Sequence, residues 1–250
     1  MDATHVVLIG LAAVVAGVVN AIAGGGSLIS FPVLLAAGLP PVTASMTNTI
    51  AMCPGYVGAT FAQRRELVGQ GDRALRLVPL ALAGSLFGAW ILLHTSDKAF
   101  ATIVPFLLLF AGLLLAAQTR LRRFLAKRGG GERSILFAAV PVGISAIYGA
   151  YFGAGLGIII LAILAITVEG GLIRANAFKQ LLSLVINVCA ALVFLAQGDI
   201  DWTAALVVGV GSLAGGVIGG KLVSRIPEAL LRWTAVAIAL GVSAVYFAKL

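Results

Sequence analysis

Residues 20–38 read NAIAGGGSLISFPVLLAAG, a run of three glycines that opens an apolar segment. Residues 153–168 read GAGLGIIILAILAITV and repeat this arrangement, with a glycine-rich break before a short apolar segment. The two short segments, 27–38 and 155–168, are shorter than the about 20 apolar residues that a membrane-crossing helix needs. A broken element that occurs twice in one chain predicts an internally repeated membrane fold.

The composition places the whole chain in a membrane. Hydrophobic residues make up 61% of the chain and charged residues only 10%, whereas a soluble domain carries about 25% charged residues. These values exclude a soluble enzyme, a disordered chain and a secreted disulfide scaffold. Cys53 and Cys189 lie inside apolar runs without metal-type spacing, so we interpret both as packing residues.

Unbroken apolar runs predict helices rather than barrel strands, because barrel strands alternate polar and apolar residues. Eight of the runs have crossing length, and the other two are the short segments that follow the glycine breaks. The ten predicted segments are 5–23, 27–38, 43–63, 74–94, 98–117, 134–152, 155–168, 172–196, 202–222 and 228–248. The fold class predicted from them is an all-α polytopic membrane protein.

The positive charges predict the orientation of the chain. The 17 Lys and Arg residues outnumber the 9 Asp and Glu residues, and Lys and Arg collect in the cytoplasmic loops of membrane proteins. Topology therefore explains the charge, and no nucleic-acid partner is expected. Alternating the ten segments places 15 of the 17 basic residues on the cytoplasmic side. The prediction is a multi-pass protein of the plasma (inner) membrane with both termini extracytoplasmic.

A basic cytoplasmic linker at 121–133 divides the chain into two halves, 1–120 and 134–250, of five segments each. GSLFGA at 84–89 matches GSLAGG at 211–216. Because five is odd, the second half must be inserted in the inverted orientation. Inverted repeats with a broken element in each half are typical of secondary transporters, whose substrate site lies at the repeat interface. The Gly-x-x-x-Gly spacings predict close helix packing, with a homodimer seam as the alternative.

The polar residues of the apolar segments favour an anion as ligand. The acidic residues and both histidines fall at segment ends or in loops, which argues against an intramembrane metal site, a carboxylate relay and an enzyme. No metal and no cofactor is expected. Glycine allows close backbone approach, and a helix that begins after Gly24–Ser27 presents free amides and a positive dipole end to an oxyanion. A tightly packed turn without a ligand is the alternative.

Lys179 supplies the one cation among these polar residues. It lies about 10 Å from the predicted start of its helix at Leu172, at 1.5 Å per residue, and Asn48 is its predicted counterpart in the first repeat. Contact with an anionic substrate and snorkelling to the interface are both open, as is helix–helix hydrogen bonding for the asparagines. The substrate-binding candidates are Asn20, Gly24, Gly25, Gly26, Ser27, Thr47, Asn48, Thr49, Gly153, Gly155, Lys179, Gln180 and Asn187.

The order of these motifs resembles a known family. Asn20 with the glycine run to Ser27, then Phe31-Pro32, Gly38-Leu-Pro and Ala44-Ser-Met-Thr-Asn48, is similar to the first repeat of the TauE/SafE sulfite exporter family. Residues 153–180 are similar to its degenerate second copy, with Phe178-Lys179 where small hydroxylated residues are expected. The resemblance covers essentially the whole chain. It implies a plasma-membrane transporter of small sulfur-containing anions such as sulfite, sulfonates or sulfoacetate.

The residues and the resemblance together predict a secondary transporter that moves a small anion by alternating access. The expected partners are the anionic substrate, the lipid bilayer, protons as the coupling ion and a second copy in a homodimer. The sequence names no proton-carrying group, and Glu169, near the predicted inner face, is the candidate. An anion channel, which needs a continuous pore, and a membrane-embedded scaffold without transport are the alternatives.

Overall fold

The computed structural model describes residues 3–128, 135–167, 171–223, 225 and 228–248, and all regular structure in these residues is helical. Glu169 therefore lies outside the described residues. The helices are α1 Ala3–Ile22, α2 Ser27–Ala36, α3 Pro41–Ala62, α4 Gly71–Leu93, α5 Asp97–Arg128, α6 Ile135–Tyr151, α7 Leu156–Thr167, α8 Gly171–Gln197, α9 Trp202–Leu222 and α10 Glu228–Phe247, with a 3-10 turn at Arg64–Leu67. For the described residues, the prediction of an all-α protein with ten helical segments is confirmed.

Helix length separates α2 and α7 from the other helices. Five helices of the described chain, α4, α5, α8, α9 and α10, are long and apolar enough to cross a membrane. The 10 residues of α2 and the 12 of α7 correspond to about 15 and 18 Å of helix. Each short helix therefore covers only about half of a 30 Å hydrocarbon layer.

Hydrogen bonds to two carboxylates hold three loops together at one end of the bundle. Asp97, at the start of α5, accepts a hydrogen bond from the Val42 amide at 3.0 Å. Asp199, between α8 and α9, accepts one from Thr43 Oγ1 at 3.4 Å. We call this end, where the loops before α3, α5 and α9 meet, the acidic end.

Arginines and glutamines join the loops at the opposite end. Arg174, in the first turn of α8, donates to the Val68 carbonyl at 2.7 Å, and Gln70 donates to the Arg174 carbonyl at 3.4 Å. Arg232 of α10 donates to Thr119 Oγ1 of α5. We call this the basic end. Loops that the sequence places on one side of the membrane thus lie together, and the side that they face stays a prediction.

The Gly-x-x-x-Gly faces pack within the chain. α4 packs against α6, and α9 packs against α1. A Cβ at Gly84 or Gly88 would overlap carbonyl oxygens of α6, and a Cβ at Gly211 or Gly215 would overlap carbonyl oxygens of α1. Helix packing within the chain therefore occupies these faces, and a homodimer stays a prediction.

Two serine hydrogen bonds join the two halves of the chain, and each half donates one of them to the other. Ser85 Oγ of α4 donates to the Ile186 carbonyl of α8 at 2.7 Å, and Ser212 Oγ of α9 donates to the Ala51 carbonyl of α3 at 2.7 Å. Ser85 and Ser212 hold the same place in the two glycine hexapeptides. Under the predicted repeat, this exchange pairs position 51 with position 186, an offset of 135 (186 minus 51). At this offset the counterpart of Asn48 is Ser183, one helical turn beyond Lys179.

The predicted linker at 121–133 is partly helical. α5 continues through it to Arg128, because Leu121, Phe124 and Leu125 extend the apolar spacing and basic residues suit the negative end of a helix. Residues 129–134 lie outside the described residues. The division into 1–120 and 134–250 stays a prediction.

Candidate functional site at the glycine breaks

The two glycine breaks touch each other inside the bundle. Gly24 has a φ of 83°, and Gly153 and Gly155 have φ values of 79° and 82°, a region that residues with a Cβ rarely adopt. A Cβ on Gly24 would lie 2.8 Å from the carbonyl carbon of Gly157, and a Cβ on Gly157 would lie 2.7 Å from the Cα of Gly24. Only glycine at these positions lets the two backbones pack so closely.

The first break leaves backbone donors free. α2 begins at Ser27 without a side-chain cap, and its N-cap residue is Gly26. The amides of Leu28 and Ile29 bond back to the carbonyls of the two preceding glycines, whereas no hydrogen bond in the described part of the chain uses the amides of Gly25 or Gly26. Buried donors without a partner at a helix start form the kind of site that binds an anion.

Asn48 of α3 ties α3 to the first turn of α2. Asn48 Nδ2 donates to Ser27 Oγ at 3.2 Å, and Ser30 Oγ donates to Asn48 Oδ1 at 2.5 Å. All three side chains are buried. Because the Ser27 hydroxyl accepts from Asn48, its own proton remains available for a ligand.

Lys179 bonds to the last turn of α1. Its side chain is 0% exposed, and Nζ donates to the Asn20 carbonyl at 3.2 Å. The neighbouring Gln180 donates to the Ala21 carbonyl at 2.8 Å. Snorkelling of Lys179 to the interface is therefore wrong, because α8 holds the ammonium inside the bundle against α1.

Two further amides bond to the same helix end. Asn176 Nδ2 donates to the Ala21 carbonyl at 3.1 Å and to Gln63 Oε1 at 2.9 Å. Gln118 Nε2 of α5 donates to the Ala23 carbonyl at 3.3 Å. The last carbonyls of a helix lack partners within the helix and carry its negative dipole end. Side chains of α5 and α8 neutralise that end of α1.

The second break has a different environment. Its carbonyls accept from two neutral hydroxyls, with Tyr148 OH donating to Ala154 at 2.7 Å and Ser45 Oγ donating to Tyr151 at 3.4 Å. Phe152, the residue before Gly153, packs edge-on against Phe31 of α2 with ring centroids 5.3 Å apart. Aromatic rings and hydroxyls surround this break in place of the ammonium and amides around the first.

The remaining candidates lie apart from this network. Thr47 lies towards the acidic end, where its Oγ1 accepts from the Asp201 amide at 3.2 Å. Thr49 and Asn187 bond to carbonyls of their own helices. Asn187 and Asn20 also interact with the buried hydroxyl of Tyr56. The structure thus gathers Asn20, Gly24 to Ser27, Asn48, Lys179 and Gln180 at the first break but does not bring Thr47 there.

Four contributors are absent from the predicted set: Ser30, Tyr56, Gln118 and Asn176. Asn176 precedes Gln180 by one helical turn, so its spacing is a signal that could have identified it. Gln118 comes directly after predicted segment 98–117, so the sequence favours a position at the membrane interface for it. Its contact with Ala23 joins residues 95 positions apart, which no local pattern reports.

The site offers hydrogen-bond donors and a positive charge. The described residues contain no cluster of three or more His, Cys, Asp or Glu side chains. What the first break can do chemically is hold a small anion through the amides of Gly25 and Gly26, the Ser27 hydroxyl and the charge of Lys179.

Comparison with known proteins identifies relatives over nearly the whole chain. The family model described as Sulfite exporter TauE/SafE matches residues 9–247. The Probable membrane transporter protein YfcA of Escherichia coli (strain K12) is 31% identical over 240 residues, which cover 95% of this chain and 86% of that protein. A Probable membrane transporter protein of Haemophilus influenzae is 30% identical over 87% of this chain and 85% of its own length. No solved structure matches the chain.

Proposed function

The chain belongs to the sulfite exporter TauE/SafE family, and we propose that it is a secondary transporter that moves a small anion across the plasma membrane. The observation that carries this proposal is the first glycine break. There the free amides of Gly25 and Gly26 lie beside Asn20, whose carbonyl binds the buried ammonium of Lys179. A Cβ on Gly26 would lie 2.6 Å from the Asn20 Cβ, so the amides and the Lys179 site flank the same residue.

Sulfite, a sulfonate or a related sulfur-containing oxyanion is the proposed substrate class. The family description supports the sulfur chemistry, and the donor set supports the negative charge. In the proposed site, Gly24 to Ser27 bind the oxyanion, Lys179 balances its charge, and Asn48 orients the Ser27 hydroxyl. The backbone of Gly153 to Gly157 supports the site from the opposite side, because Gly157 lies against Gly24.

Alternating access between two inverted repeats is the proposed mechanism. The exchanged packing of α1 on α9 and of α6 on α4 supports the repeat, because a two-fold relation between halves predicts such pairs. The exchanged hydrogen bonds of Ser85 and Ser212 support it as well. The touching glycine breaks lie where the halves would rock against each other, as in other broken-helix transporters.

Transport by purified protein in proteoliposomes tests the proposal. We expect saturable uptake of labelled sulfite or sulfonate that is accelerated by the same anion inside the vesicles, because a carrier binds its substrate on both sides. A channel would give flux without counter-transport, and a scaffold would give no flux. A thermal-shift series with sulfite, thiosulfate, sulfonates, sulfate and carboxylates identifies the ligand, since an anion at 100 times its Kd stabilises the folded state by about 2.7 kcal/mol.

The proposed orientation places the basic end in the cytoplasm and both termini outside. The test uses a chain in which Cys53 and Cys189 are replaced, with a single new cysteine at exposed Arg65 or exposed Asp199. An impermeant thiol reagent added to intact cells should label Asp199→Cys and leave Arg65→Cys unlabelled until the cells are broken. The opposite pattern would reverse the orientation.

Protons are the proposed coupling ion, and a homodimer is the proposed assembly. Acidification outside vesicles of known orientation should drive uphill accumulation of the anion, and collapse of the pH gradient should abolish it. A monomeric mass in detergent together with full transport would contradict the dimer.

A further inference from the structure

Two helix ends of opposite sign meet at the first break. α1 ends at Ile22 and α2 begins at Ser27, so the negative dipole end of α1 and the positive dipole end of α2 are separated by four residues. An anion held at the start of α2 therefore also lies close to the carbonyls that end α1. Unless these carbonyls are neutralised, they oppose anion binding as strongly as the amides of α2 favour it.

Gln118 and Asn176 neutralise carbonyls at this end of α1. Their amide groups donate to Ala23 at 3.3 Å and to Ala21 at 3.1 Å, and the two side chains are only 1% and 4% exposed. Gln118 Oε1 and Asn176 Oδ1 are buried without a hydrogen-bond partner in the described part of the chain. Burying an acceptor without a partner is unfavourable. The favourable contribution of Gln118 and Asn176 therefore comes from the hydrogen bonds that they donate to α1.

The two residues approach α1 from different helices. Gln118 belongs to α5 in the first half of the chain, and Asn176 belongs to α8 in the second half. Asn176 also donates to Gln63 at the end of α3, which holds its amide in the orientation that reaches Ala21. The end of α1 is thus capped from both halves, next to the carbonyl of Asn20 that binds Lys179.

We propose that Gln118 and Asn176 are positioning residues that make the first break selective for anions and make its affinity rise with the charge of the anion. Together with Gln180, which also donates to Ala21 at 2.8 Å, they bind the α1 carbonyls and leave the α2 amides and the Lys179 ammonium as the dominant charges at the site. This proposal rests on the proposed function, because it concerns the same site. The carbonyls of the second break are capped by the hydroxyls of Tyr148 and Ser45, and no cation of the described residues bonds there.

The test compares a divalent and a monovalent anion on variants that lose the donor and keep the size, Gln118→Met and Asn176→Leu. The probes are sulfite in alkaline buffer, where it is mostly the dianion, and methanesulfonate, a monoanion. Loss of one such hydrogen bond should weaken sulfite binding about tenfold. Because Coulomb energy is proportional to ligand charge, methanesulfonate binding should weaken only about threefold.

The matched control is Ser243→Ala, which removes a buried hydroxyl donor to the Pro105 carbonyl between α10 and α5, away from both breaks. It should leave both dissociation constants unchanged. Equal weakening of the two anions in Gln118→Met and Asn176→Leu, or no weakening, would overturn the proposal, because a merely structural loss does not depend on ligand charge. If neither variant folds, Gln118→Asn, which withdraws the amide by one methylene, should give the same charge-dependent loss. Failure of the wild-type protein to bind either anion would instead refute the proposed function.

Discussion

The first break, Gly24 to Ser27, and the second, Gly153 to Gly157, place glycines of nearly the same positive φ between a long helix and a half-length one. Their surroundings differ. Four side chains donate to the helix end before the first break, those of Lys179, Gln180, Asn176 and Gln118. Among the side chains of the described residues, only the hydroxyls of Tyr148 and Ser45 bond to carbonyls at the second. The two breaks therefore have similar backbone conformations, but in the described residues the charged donor, Lys179, bonds beside the first break.

This difference separates two roles that a repeated fold allows. The backbone form is needed twice, because each half must end a long helix inside the bundle and start a short one. Under the proposed function, a bound anion is needed at only one break. α8 supplies three of the side-chain donors at the first break and α5 supplies Gln118, whereas α3, the predicted counterpart of α8, supplies Ser45 at the second. The second half of the chain therefore carries Lys179, and the first half carries the helix start at Ser27.

The largest effect is expected from adding a methyl group at the point where the two breaks touch. Gly24→Ala should lose about 1–2 kcal/mol of stability from the positive φ and about 1–3 kcal/mol more from overlap with the Gly157 backbone. Gly153→Ala shares the φ penalty, but the nearest atoms to its Cβ are the Gly149 carbonyl oxygen at 3.2 Å and Ser27 Oγ at 4.0 Å. Melting temperature and monodispersity in detergent should rank wild type above Gly153→Ala and Gly153→Ala above Gly24→Ala.

Equal destabilisation by Gly24→Ala and Gly153→Ala would contradict the structural difference between the breaks. Gly38→Ala serves as the control for φ alone, because Gly38 has a φ of 91° and a Cβ there would meet nothing within 4 Å. Its loss should be about 1–2 kcal/mol. A loss for Gly38→Ala as large as that for Gly24→Ala would show that contact between the breaks adds nothing.

A smaller effect on folding and a selective effect on binding are expected at Lys179. Lys179→Met keeps the apolar stem and removes the charge, so anion affinity should fall about 10- to 150-fold, the equivalent of about 1.5–3 kcal/mol for a charge-assisted hydrogen bond. Tyr148→Phe removes the hydroxyl that bonds to Ala154 at the second break. It should lower stability by about 1 kcal/mol and leave affinity unchanged.

The measurement for this pair is the dissociation constant of the transported anion, taken at temperatures equally far below each variant's melting point. An unchanged constant for Lys179→Met would limit the ammonium to a structural bond with Asn20. An equal loss of affinity in Tyr148→Phe would place the ligand at both breaks, contrary to the asymmetry of their donors.

Local patterns were sufficient for the helices and the breaks. Apolar run length predicted ten segments, and the glycine strings predicted where α2 and α7 begin, because a bilayer requires continuous apolar helices and a positive φ requires glycine. Charge patterning also grouped the loops that the structure finds together at each end. The predicted end of the fifth segment at 117 was wrong, because α5 continues to Arg128 through the basic residues of the predicted linker.

The side-chain hydrogen bonds were much harder to predict from the sequence. The sequence left two partners open for Lys179, the membrane interface and an anionic ligand, and only the packing of α8 against α1 decided that its ammonium meets Asn20. Thr47 and Asn48 are adjacent in sequence, yet neighbouring positions on a helix face different directions. Asn48 bonds to α2, while Thr47 bonds to the loop before α9.

By itself the sequence determined the membrane setting, the all-helical fold, the number of segments, the two breaks and, through its motifs, the family. These properties depend on composition and on patterns that extend over one helix length, and the physics of the bilayer acts on them locally. Tertiary structure alone decided that the two breaks touch, that Gln118 and Asn176 bond to the end of α1, and that the first break holds the charge. Those contacts join residues about 95 to 160 positions apart, and their partners are set by how helices pack, which no local periodicity encodes.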